Sequence, residues 1–481
     1  MPFAMMKHPI AFLFGIFTVS LVLSLAEAEE TRPNIVLVMA DDQGYGDTGF
    51  TGHPFVETPN LDAMAKAGVV FNRFYAGAPV CSPTRASVMT GRTPMRTNVP
   101  NHGHYMRPDE VTIAEALKEA GYVTGHFGKW HIGSVQAESP TSPGGAGFDE
   151  WLSGLNFFDR DPYLSRNGTY EHPTGQGSII SMDATIDFLT KHNDGDKPMF
   201  TVTWFPSPHS PHQEAPVDFQ DSGNRYEEAG KDRGYFLEIT LLDQQLGKLR
   251  ESLRDLGIAE NTLLWYCSDN GGLVEASSGG RAKKGSIYEG GLRVPSILEW
   301  PAELTSRTID TPACTFDIYP TLLTIGGAKV ENQPHLDGID LADVIAGTQK
   351  TRPAMGFWHH HTRGQGTHSD EIIKALMEAQ EAGKPTPYPE RLLKNVEDFP
   401  SLTRGNYQGH AGWNDWPWKL HRIEKGDEVT VELYHLVDDP METNDLAQSK
   451  EERTGLMLNE LEQWQSSVFD SWEGKDYLRS E

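Results

Sequence analysis

Runs of consecutive apolar residues alternate with helix-like stretches along most of this chain. Asn34–Ala40, Met199–Phe205 and Thr262–Ser268 are predominantly apolar, which is typical of strands buried on both faces of a parallel sheet. The remaining elements predicted in this part are the helices Pro59–Ala67, Ser82–Thr90, Ile113–Ala120, Tyr235–Leu256 and Phe316–Ile325 and the strands Val69–Phe74, Tyr122–Phe127 and Ser296–Trp300.

This alternation predicts an α/β fold, with a large, mainly parallel sheet between two layers of helices. From about Met355 the pattern changes. A helix-like stretch, Asp370–Ala382, is followed by two strand-like stretches, Trp418–Arg422 and Val429–Tyr434, which we expect to be antiparallel. We therefore predict an N-terminal domain over residues 29–350 and a smaller C-terminal α+β domain over residues 351–481.

The first residues have the pattern of an export signal. Lys7 precedes an apolar run from Pro9 to Ala26, and Ala26-Glu27-Ala28 fits a cleavage site. An uncleaved membrane anchor is the alternative, because the run is nearly long enough to span a bilayer. We predict a signal peptide over residues 1–28, cleavage after Ala28, and a periplasmic or secreted bacterial protein with no stable membrane span. A lysosomal or secreted eukaryotic protein is the alternative.

Composition restricts the classes of function. The formal net charge is −27, which argues against nucleic-acid binding. An anionic substrate would therefore need a local basic pocket within an acidic protein. Only Cys81, Cys267 and Cys314 occur, too few for a disulfide framework.

Cys81 lies at the predicted start of a helix. Ser82 suits the N-cap position and Pro83 the first helical position, and Gly91 suits the C-terminal end. Cys81 would then lie at the positive end of the helix dipole, with Arg85 one turn away. A buried cysteine beside an ordinary capped helix is the alternative.

Acidic and amide residues follow two of the predicted central strands. Asp41 and Asp42 come directly after the first strand, and Asp269 and Asn270 follow Ser268. Ligands bind at the carboxyl ends of strands in open α/β sheets. Four oxygen-bearing side chains at this edge suit a hard cation such as Ca²⁺ or Mg²⁺.

Cationic and imidazole side chains follow other strand-like stretches. Lys129 and His131 alternate, so in an extended segment they would point to the same side. Prolines flank His209 and His212 and restrict their loop. Lys284 follows a Gly- and Ser-rich loop.

Together these residues resemble the type I sulfatases of the alkaline phosphatase superfamily. Cys81, Pro83, Thr84 and Arg85 match the formylglycine signature C-x-P-[ST]-x-R. The resemblance extends to four further groups, Asp41-Asp42, Gly128-Lys129-Trp130-His131, Asp269-Asn270 and the block from Lys284 to Gly291. The block Gly147-Phe148-Asp149-Glu150-Trp151 is similar to N-acetylgalactosamine 6-sulfatases and polysaccharide sulfatases.

The resemblance implies a fold, a modification and a metal. The fold would be alkaline phosphatase-like, and a formylglycine-generating enzyme would oxidise Cys81 to formylglycine during export. One Ca²⁺ per chain, with Mg²⁺ as the alternative, would bind the side chain of residue 81 and the four oxygen-bearing residues Asp41, Asp42, Asp269 and Asn270.

The resemblance also implies roles for the remaining residues. A hydroxyl of hydrated formylglycine would attack sulfur and retain the sulfate, and His131 would then take a proton to expel it. Arg85 and Lys129 would hold the modified residue. Lys284 and His209 would clamp the sulfate and protonate the leaving oxygen. His209 fits the family's H-x-P pattern better than His212.

Three functions remain in view from the sequence. A sulfatase acting on a sulfated glycan is favoured. A phosphonate monoesterase or phosphodiesterase of the same superfamily is the first alternative, and a catalytically silent glycan-binding protein is the second. We expect substrate specificity to reside in the loop Asp159–Gln176 and in the region His359–His410.

Overall fold

The computed structural model describes residues 1, 32–212, 226–394 and 402–477. The predicted signal peptide lies outside the described residues, apart from Met1. Residues from Arg32 onward belong to one compact unit. Within the described ranges, none of the helices has the length and apolar character needed to cross a bilayer.

The described residues contain seventeen strands. In chain order these are β1 (Asn34–Ala40), β2 (Val69–Phe71), β3 (Phe74–Tyr75), β4 (Val123–Lys129), β5 (Glu150–Gly154), β6 (Leu164–Arg166), β7 (Thr169–Glu171), β8 (Met199–Trp204), β9 (Thr262–Ser268), β10 (Arg293–Val294), β11 (Ser296–Glu299), β12 (Arg307–Ile309), β13 (Ala313–Cys314), β14 (Met355–His359), β15 (Gly409–Asp415), β16 (Trp418–Lys425) and β17 (Glu428–His435).

The same residues contain ten α-helices. They are α1 (Pro59–Ala67), α2 (Cys81–Thr90), α3 (Ile113–Glu119), α4 (Gly177–His192), α5 (Arg233–Asp255), α6 (Glu289–Leu292), α7 (Ile318–Gly326), α8 (Ala342–Ala346), α9 (Ser369–Glu381) and α10 (Glu451–Trp472).

The main sheet has ten strands in the order β12-β2-β11-β9-β1-β8-β4-β5-β6-β7. Its centre, β9-β1-β8-β4-β5, is parallel throughout, while β11, β6 and β7 pair in antiparallel fashion. Alternate side chains of β1 enter two separate cores. Leu37 packs in the core that contains α2, α3 and α7, and Val38 in the core that contains α1, α4 and α5. The predicted sheet between two helical layers is confirmed.

The C-terminal region forms a separate sheet. Its order is β14-β15-β16-β17, and each neighbouring pair is antiparallel. Met457 and Leu461 of α10 pack on this sheet together with Leu420 and Leu433. The prediction of an antiparallel sheet in this part of the chain is confirmed, and both predicted strands are longer than expected.

Two predicted elements near Cys81 need correction. The single strand expected over Val69–Phe74 is two short strands, because β2 pairs in the main sheet and β3 pairs with β10 and β13 in a small sheet. Helix α2 begins at Cys81 with Val80 as its N-cap. Ser82 is therefore not the cap, and its hydroxyl instead accepts a hydrogen bond of 3.0 Å from the backbone of Gly103.

The register of the central strands places their polar ends together. Ala40 of β1 is paired with Ser268 of β9, so the residues that follow both strands leave the sheet at the same edge. Strand β4 continues to Lys129, beyond its predicted end at Phe127, because Lys129 still pairs with Gly154 of β5. Metal-ligating and cationic candidates thus converge on one end of the sheet.

Candidate active site

Cys81 and His131 meet at the base of a cavity of about 710 Å³. Cys81 is the first residue of α2 and is 4% exposed. Its Sγ atom lies 3.4 Å from Nδ1 of His131. The expected extended path from Lys129 to His131 is wrong, because His131 has a φ of +58°. This left-handed turn directs the imidazole to Cys81.

Four buried oxygen-bearing residues are connected to the cavity lining through the ion pair from Lys284 to Asp42. They are the predicted metal ligands Asp41, Asp42, Asp269 and Asn270, and each is 0% exposed. One oxygen of Asp41 and the amide oxygen of Asn270 accept no hydrogen bond from any described residue. Buried, unpartnered oxygens are costly unless they bind a cation or water. This set of donors fits a hard divalent metal ion.

Each of the three carboxylates in this group is paired with a cation. Lys129 Nζ donates to Asp41 at 2.6 Å, and Lys284 Nζ donates to Asp42 at 2.7 Å. Arg85 donates to Asp269 at 2.8 Å and to the backbone carbonyl of Lys129 at 2.9 Å. The three positive and three negative charges cancel. A divalent cation bound here would leave a positive site that attracts an anion.

The two candidate histidines of the proline-rich loop differ in position. His209 lines the cavity, and its Nδ1 donates to the carbonyl of Ser210 at 2.6 Å. Its Nε2 lies 3.8 Å from a carboxylate oxygen of Asp42 and is the nitrogen available to a substrate. His212 donates through Nε2 to the carbonyl of Pro208 at 2.9 Å and is not part of the lining.

Burial sets the protonation state of several of these groups. It lowers the pKa of His131 well below its ordinary value, and neighbouring Lys129 and Arg85 lower it further. Burial also lowers the pKa of His209 and raises that of the Cys81 thiol. His131 is therefore a neutral imidazole at pH 7, which can accept a proton.

Lys284 reaches the site from a loop that we call the lysine loop, residues 281–289. Its tight path requires glycine beside it, because a Cβ at Gly290 would lie 2.1 Å from the carbonyl oxygen of Ala282. A Cβ at Gly291 would lie 2.0 Å from the carbonyl oxygen of Ser286. These contacts account for the Gly-Gly pair that ends the predicted block.

The lysine loop is also held from the C-terminal sheet. Arg281 lies over the ring of Tyr288, 3.8 Å from its centroid, and donates to the carbonyl of Glu442. Tyr288 donates to Glu432 of β17 at 2.6 Å. Both ends of the loop are therefore attached to the same neighbouring segment.

Several residues on the outer part of the cavity were not predicted as site residues. They are His102, Asn156, Phe157, His368, Asp370 and Glu371. The last three fall within the region His359–His410, where we expected specificity, whereas Asn156 and Phe157 lie three and two residues before Asp159–Gln176, the other segment where we expected it. No sequence motif marks any of them, because their proximity depends on the packing of α9 against β5 and β6.

Comparison with known proteins decides the family. Residues 33–328 match the family model described as Sulfatase. The chain belongs to the sulfatase family. It is 34% identical to human arylsulfatase A over 384 residues, which cover 70% of this chain and 73% of that protein. It is 32% identical to dog N-acetylgalactosamine-6-sulfatase over 373 residues, 69% of each chain.

The fold of this sulfatase also matches solved structures. The crystal structure of Ps i-CgsB in complex with k-i-k-neocarrahexaose superposes with a TM-score of 0.74 at 25% identity, covering 93% of this chain and 98% of that chain. The family and its named relatives identify the protein as a sulfuric ester hydrolase. The resemblance inferred from the motifs is confirmed.

Proposed function

We propose that this sulfatase removes sulfate from a sulfated glycan, with formylglycine at position 81 as the nucleophile and Ca²⁺ as its metal. The observation that carries the proposal is the cluster at one cavity. Cys81, His131 and Lys284 line the cavity, and the ion pair from Lys284 to Asp42 joins this lining to the buried group of oxygen donors. The names of dog N-acetylgalactosamine-6-sulfatase and of the neocarrahexaose complex support a carbohydrate substrate.

The metal would be held by Asp41, Asp42, Asp269, Asn270 and the side chain of residue 81. The unpartnered oxygens of Asp41 and Asn270 support this assignment. Bound Ca²⁺ would polarise sulfate oxygens and neutralise the charge that develops on them. Arg85 and Lys129, both 0% exposed, would fix the carboxylates and the oxygens of residue 81.

The other residues would bind the ester and move protons. Oxidised to formylglycine and hydrated, residue 81 would supply the hydroxyl nucleophile. Lys284 would bind the sulfate. His209, protonated on both ring nitrogens with the nearby carboxylates of Asp41 and Asp42 favouring that charged form, would donate the Nε2 proton to the leaving alcohol oxygen. His131 would take up at Nδ1 the proton of the other hydroxyl of residue 81, whose sulfur lies 3.4 Å away in the cysteine form. The aldehyde C=O would then form as the bond from the residue 81 carbon to the sulfate oxygen breaks, which releases the sulfate.

The proposal includes maturation and location. A formylglycine-generating enzyme would act on Cys81 before folding buries it, since the folded side chain is 4% exposed. The protein would be exported to the periplasm or the medium with residues 1–28 as its signal. Residues 29–350 would form the catalytic domain, and residues 351–481 the C-terminal subdomain that holds the lysine loop.

The decisive experiment uses protein co-expressed with a formylglycine-generating enzyme. Mass spectrometry of the tryptic peptide from Phe74 to Arg85 should show the aldehyde or its hydrate. The same protein should release sulfate from 4-nitrophenyl sulfate and from N-acetylgalactosamine 6-sulfate. Cys81→Ala should abolish turnover, while Cys314→Ala, at a buried cysteine outside the cavity, should retain it.

Three results would contradict parts of the proposal. An unmodified cysteine in active protein would exclude formylglycine as the nucleophile. Faster turnover of 4-nitrophenyl phenylphosphonate than of 4-nitrophenyl sulfate would favour the phosphonate monoesterase alternative. Sugar binding without release of sulfate by the aldehyde-bearing protein would favour the silent glycan-binding alternative.

A further inference from the structure

The outer part of the active-site cavity is formed by two segments distant in sequence. Asn156 and Phe157 follow β5, and residues 366–371 lead into the first turn of α9. The same lining contains Cys81 and His131, each 4% exposed. A sulfate bound beside Cys81 would therefore place its sugar against these two segments.

The side chains of this outer part include two carboxylates and no lysine or arginine among the described residues. Among the described residues that line the cavity, Lys284 is the only lysine or arginine, and it is already paired with Asp42. Asp370 and Glu371 are the carboxylates of the outer lining. Burial lowers the pKa of His102, so this histidine contributes little positive charge at neutral pH.

The two carboxylates differ in their contacts. Asp370 is half-buried and accepts a hydrogen bond of 3.1 Å from the backbone of Tyr163, which gives it a structural role. Glu371 is exposed and pairs with no lysine or arginine among the described residues. Its position in the first turn of α9 suits the helix dipole, and the exposed carboxylate is free to act on a ligand.

The side chains of Phe157, Asn156 and Thr367 in this outer part carry no charge and suit a sugar. The ring of Phe157 stacks on His209, with centroids 4.9 Å apart, and offers an apolar face. Asn156 donates to the carbonyl of Thr367 at 2.9 Å, and its own carbonyl oxygen has no partner among the described residues. The Thr367 hydroxyl, on a residue 7% exposed, is likewise unpartnered. Buried polar groups of this kind require a hydrogen-bonding ligand or water.

We infer that this subsite selects a sugar that carries no second anionic group near the scissile sulfate ester, and that Glu371 rejects such an anion. The inference rests on the proposed action on sulfated sugars. A second sulfate or a uronate carboxylate would lie near Glu371, and the described lining residues offer no lysine or arginine besides Lys284 to neutralise it. Repulsion across a partly solvated cavity weakens binding of the doubly charged sugar and decreases with ionic strength.

The test compares two sugars that differ at one substituent. N-acetylglucosamine 6-sulfate and glucosamine 2-N,6-O-disulfate share the 6-sulfate but differ in charge at nitrogen 2. We expect the parent protein to have the higher kcat/KM for the singly charged sugar. Glu371→Arg should raise the kcat/KM for the disulfate relative to that for the singly charged sugar by about tenfold at low salt.

Glu378→Gln is the matched control, because Glu378 is exposed on the same helix and does not line the cavity. This substitution should change the kcat/KM of neither sugar. Equal or better turnover of the disulfate by the parent protein would overturn the inference. The same conclusion would follow if Glu371→Arg left the ratio of the two kcat/KM values unchanged.

Calorimetric binding of both sugars to Cys81→Ala protein separates this inference from the proposed function. Selective binding of the singly charged sugar without any sulfate release by aldehyde-bearing protein would refute the proposed reaction alone. Sulfate release from 4-nitrophenyl sulfate, with neither sugar bound or with the disulfate preferred, would refute the selectivity alone.

Discussion

Nζ of Lys419, on a central strand of the C-terminal sheet, lies 2.8 Å from Oε1 of Glu289, the residue that ends the lysine loop. It also lies 3.2 Å from Oε1 of Glu442. Lys419 and Glu442 have fully buried side chains, and that of Glu289 is 6% exposed. His421 joins the group through a contact of 2.7 Å to Glu442. The C-terminal sheet therefore anchors the segment that presents Lys284 to the cavity.

Lys419→Met should lower both stability and activity. It leaves two buried carboxylates without their cation, which typically costs about 3–5 kcal/mol of unfolding free energy. Because the lysine loop loses its anchor, the kcat/KM for 4-nitrophenyl sulfate should also fall under conditions where the variant is fully folded. Urea unfolding and steady-state kinetics measure the two effects.

Arg404→Gln is the control for Lys419→Met, because Arg404 pairs with Asp470 and Glu473 at the protein surface. Its urea midpoint and kinetics should match those of the parent protein. A Lys419→Met protein with the parent's kcat/KM would show that the anchor does not position Lys284.

Lys284→Met should reduce sulfate release while the fold is retained. Losing a cation that faces the developing charge of a transferring group costs about 10²- to 10³-fold in kcat. The adjacent Lys283 offers a matched control, since its Nζ donates to the carbonyl of Leu273 and it does not line the cavity. Lys283→Met should therefore retain activity. Equal losses in the two variants would argue against a specific role for Lys284.

Calcium should stabilise the folded protein through Asn270. At a free Ca²⁺ concentration one hundred times the Kd, one site adds about 2.7 kcal/mol to the unfolding free energy. Asn270→Ala removes an unpartnered amide oxygen without changing charge, and should greatly reduce the rise in Tm on Ca²⁺ addition. Chelation should also abolish sulfate release.

The control for the calcium experiment is Asn414→Ala, at a buried asparagine in β15. This variant should keep the full rise in Tm with Ca²⁺, whatever its starting stability. Comparing Mg²⁺ with Ca²⁺ at equal concentrations tests the choice of metal, and a larger effect of Mg²⁺ would reverse it.

Glu238→Gln should stabilise the protein at alkaline pH. Burial raises the pKa of Glu238 from 4.5 to about 8, although the Ser207 hydroxyl opposes this by hydrogen bonding. Unfolding therefore releases a proton between these two pH values, and stability is lost as pH rises through this window. We expect a gain of about 1–3 kcal/mol at pH 8 and little at pH 5, measured by urea unfolding.

Glu251→Gln is the control for this experiment, since Glu251 is exposed on the same helix, α5. Its stability should follow the parent's pH profile. A Glu238→Gln protein whose advantage does not grow from pH 5 to pH 8 would contradict the assigned pKa.

The sequence by itself determined the central strands, the order of the elements and the family. The strands Asn34–Ala40 and Thr262–Ser268 begin and end at the predicted residues. They could be predicted because a continuous apolar run is typical of a strand buried on both faces of a sheet. The site residues that follow these strands could be predicted as a group. Parallel neighbours bring their carboxyl ends to the same edge, so Asp41 and Asp269 must meet once the sheet forms.

Only the tertiary structure decided how the side chains are directed and what surrounds them. His131 reaches Cys81 through a left-handed backbone turn. Ser82 is not the N-cap of α2, and its hydroxyl accepts a hydrogen bond from the backbone of Gly103 instead. Lys419 contacts Glu289 although the two are 130 residues apart, and Phe157 and Glu371 line the same cavity although they are far apart in the chain. Both arrangements depend on packing between distant segments, which neither local propensity nor spacing encodes. The catalytic and metal-binding residues could therefore be predicted from the sequence. The acidic outer part of the cavity, with Asp370 and Glu371, which we infer selects the substrate, could not.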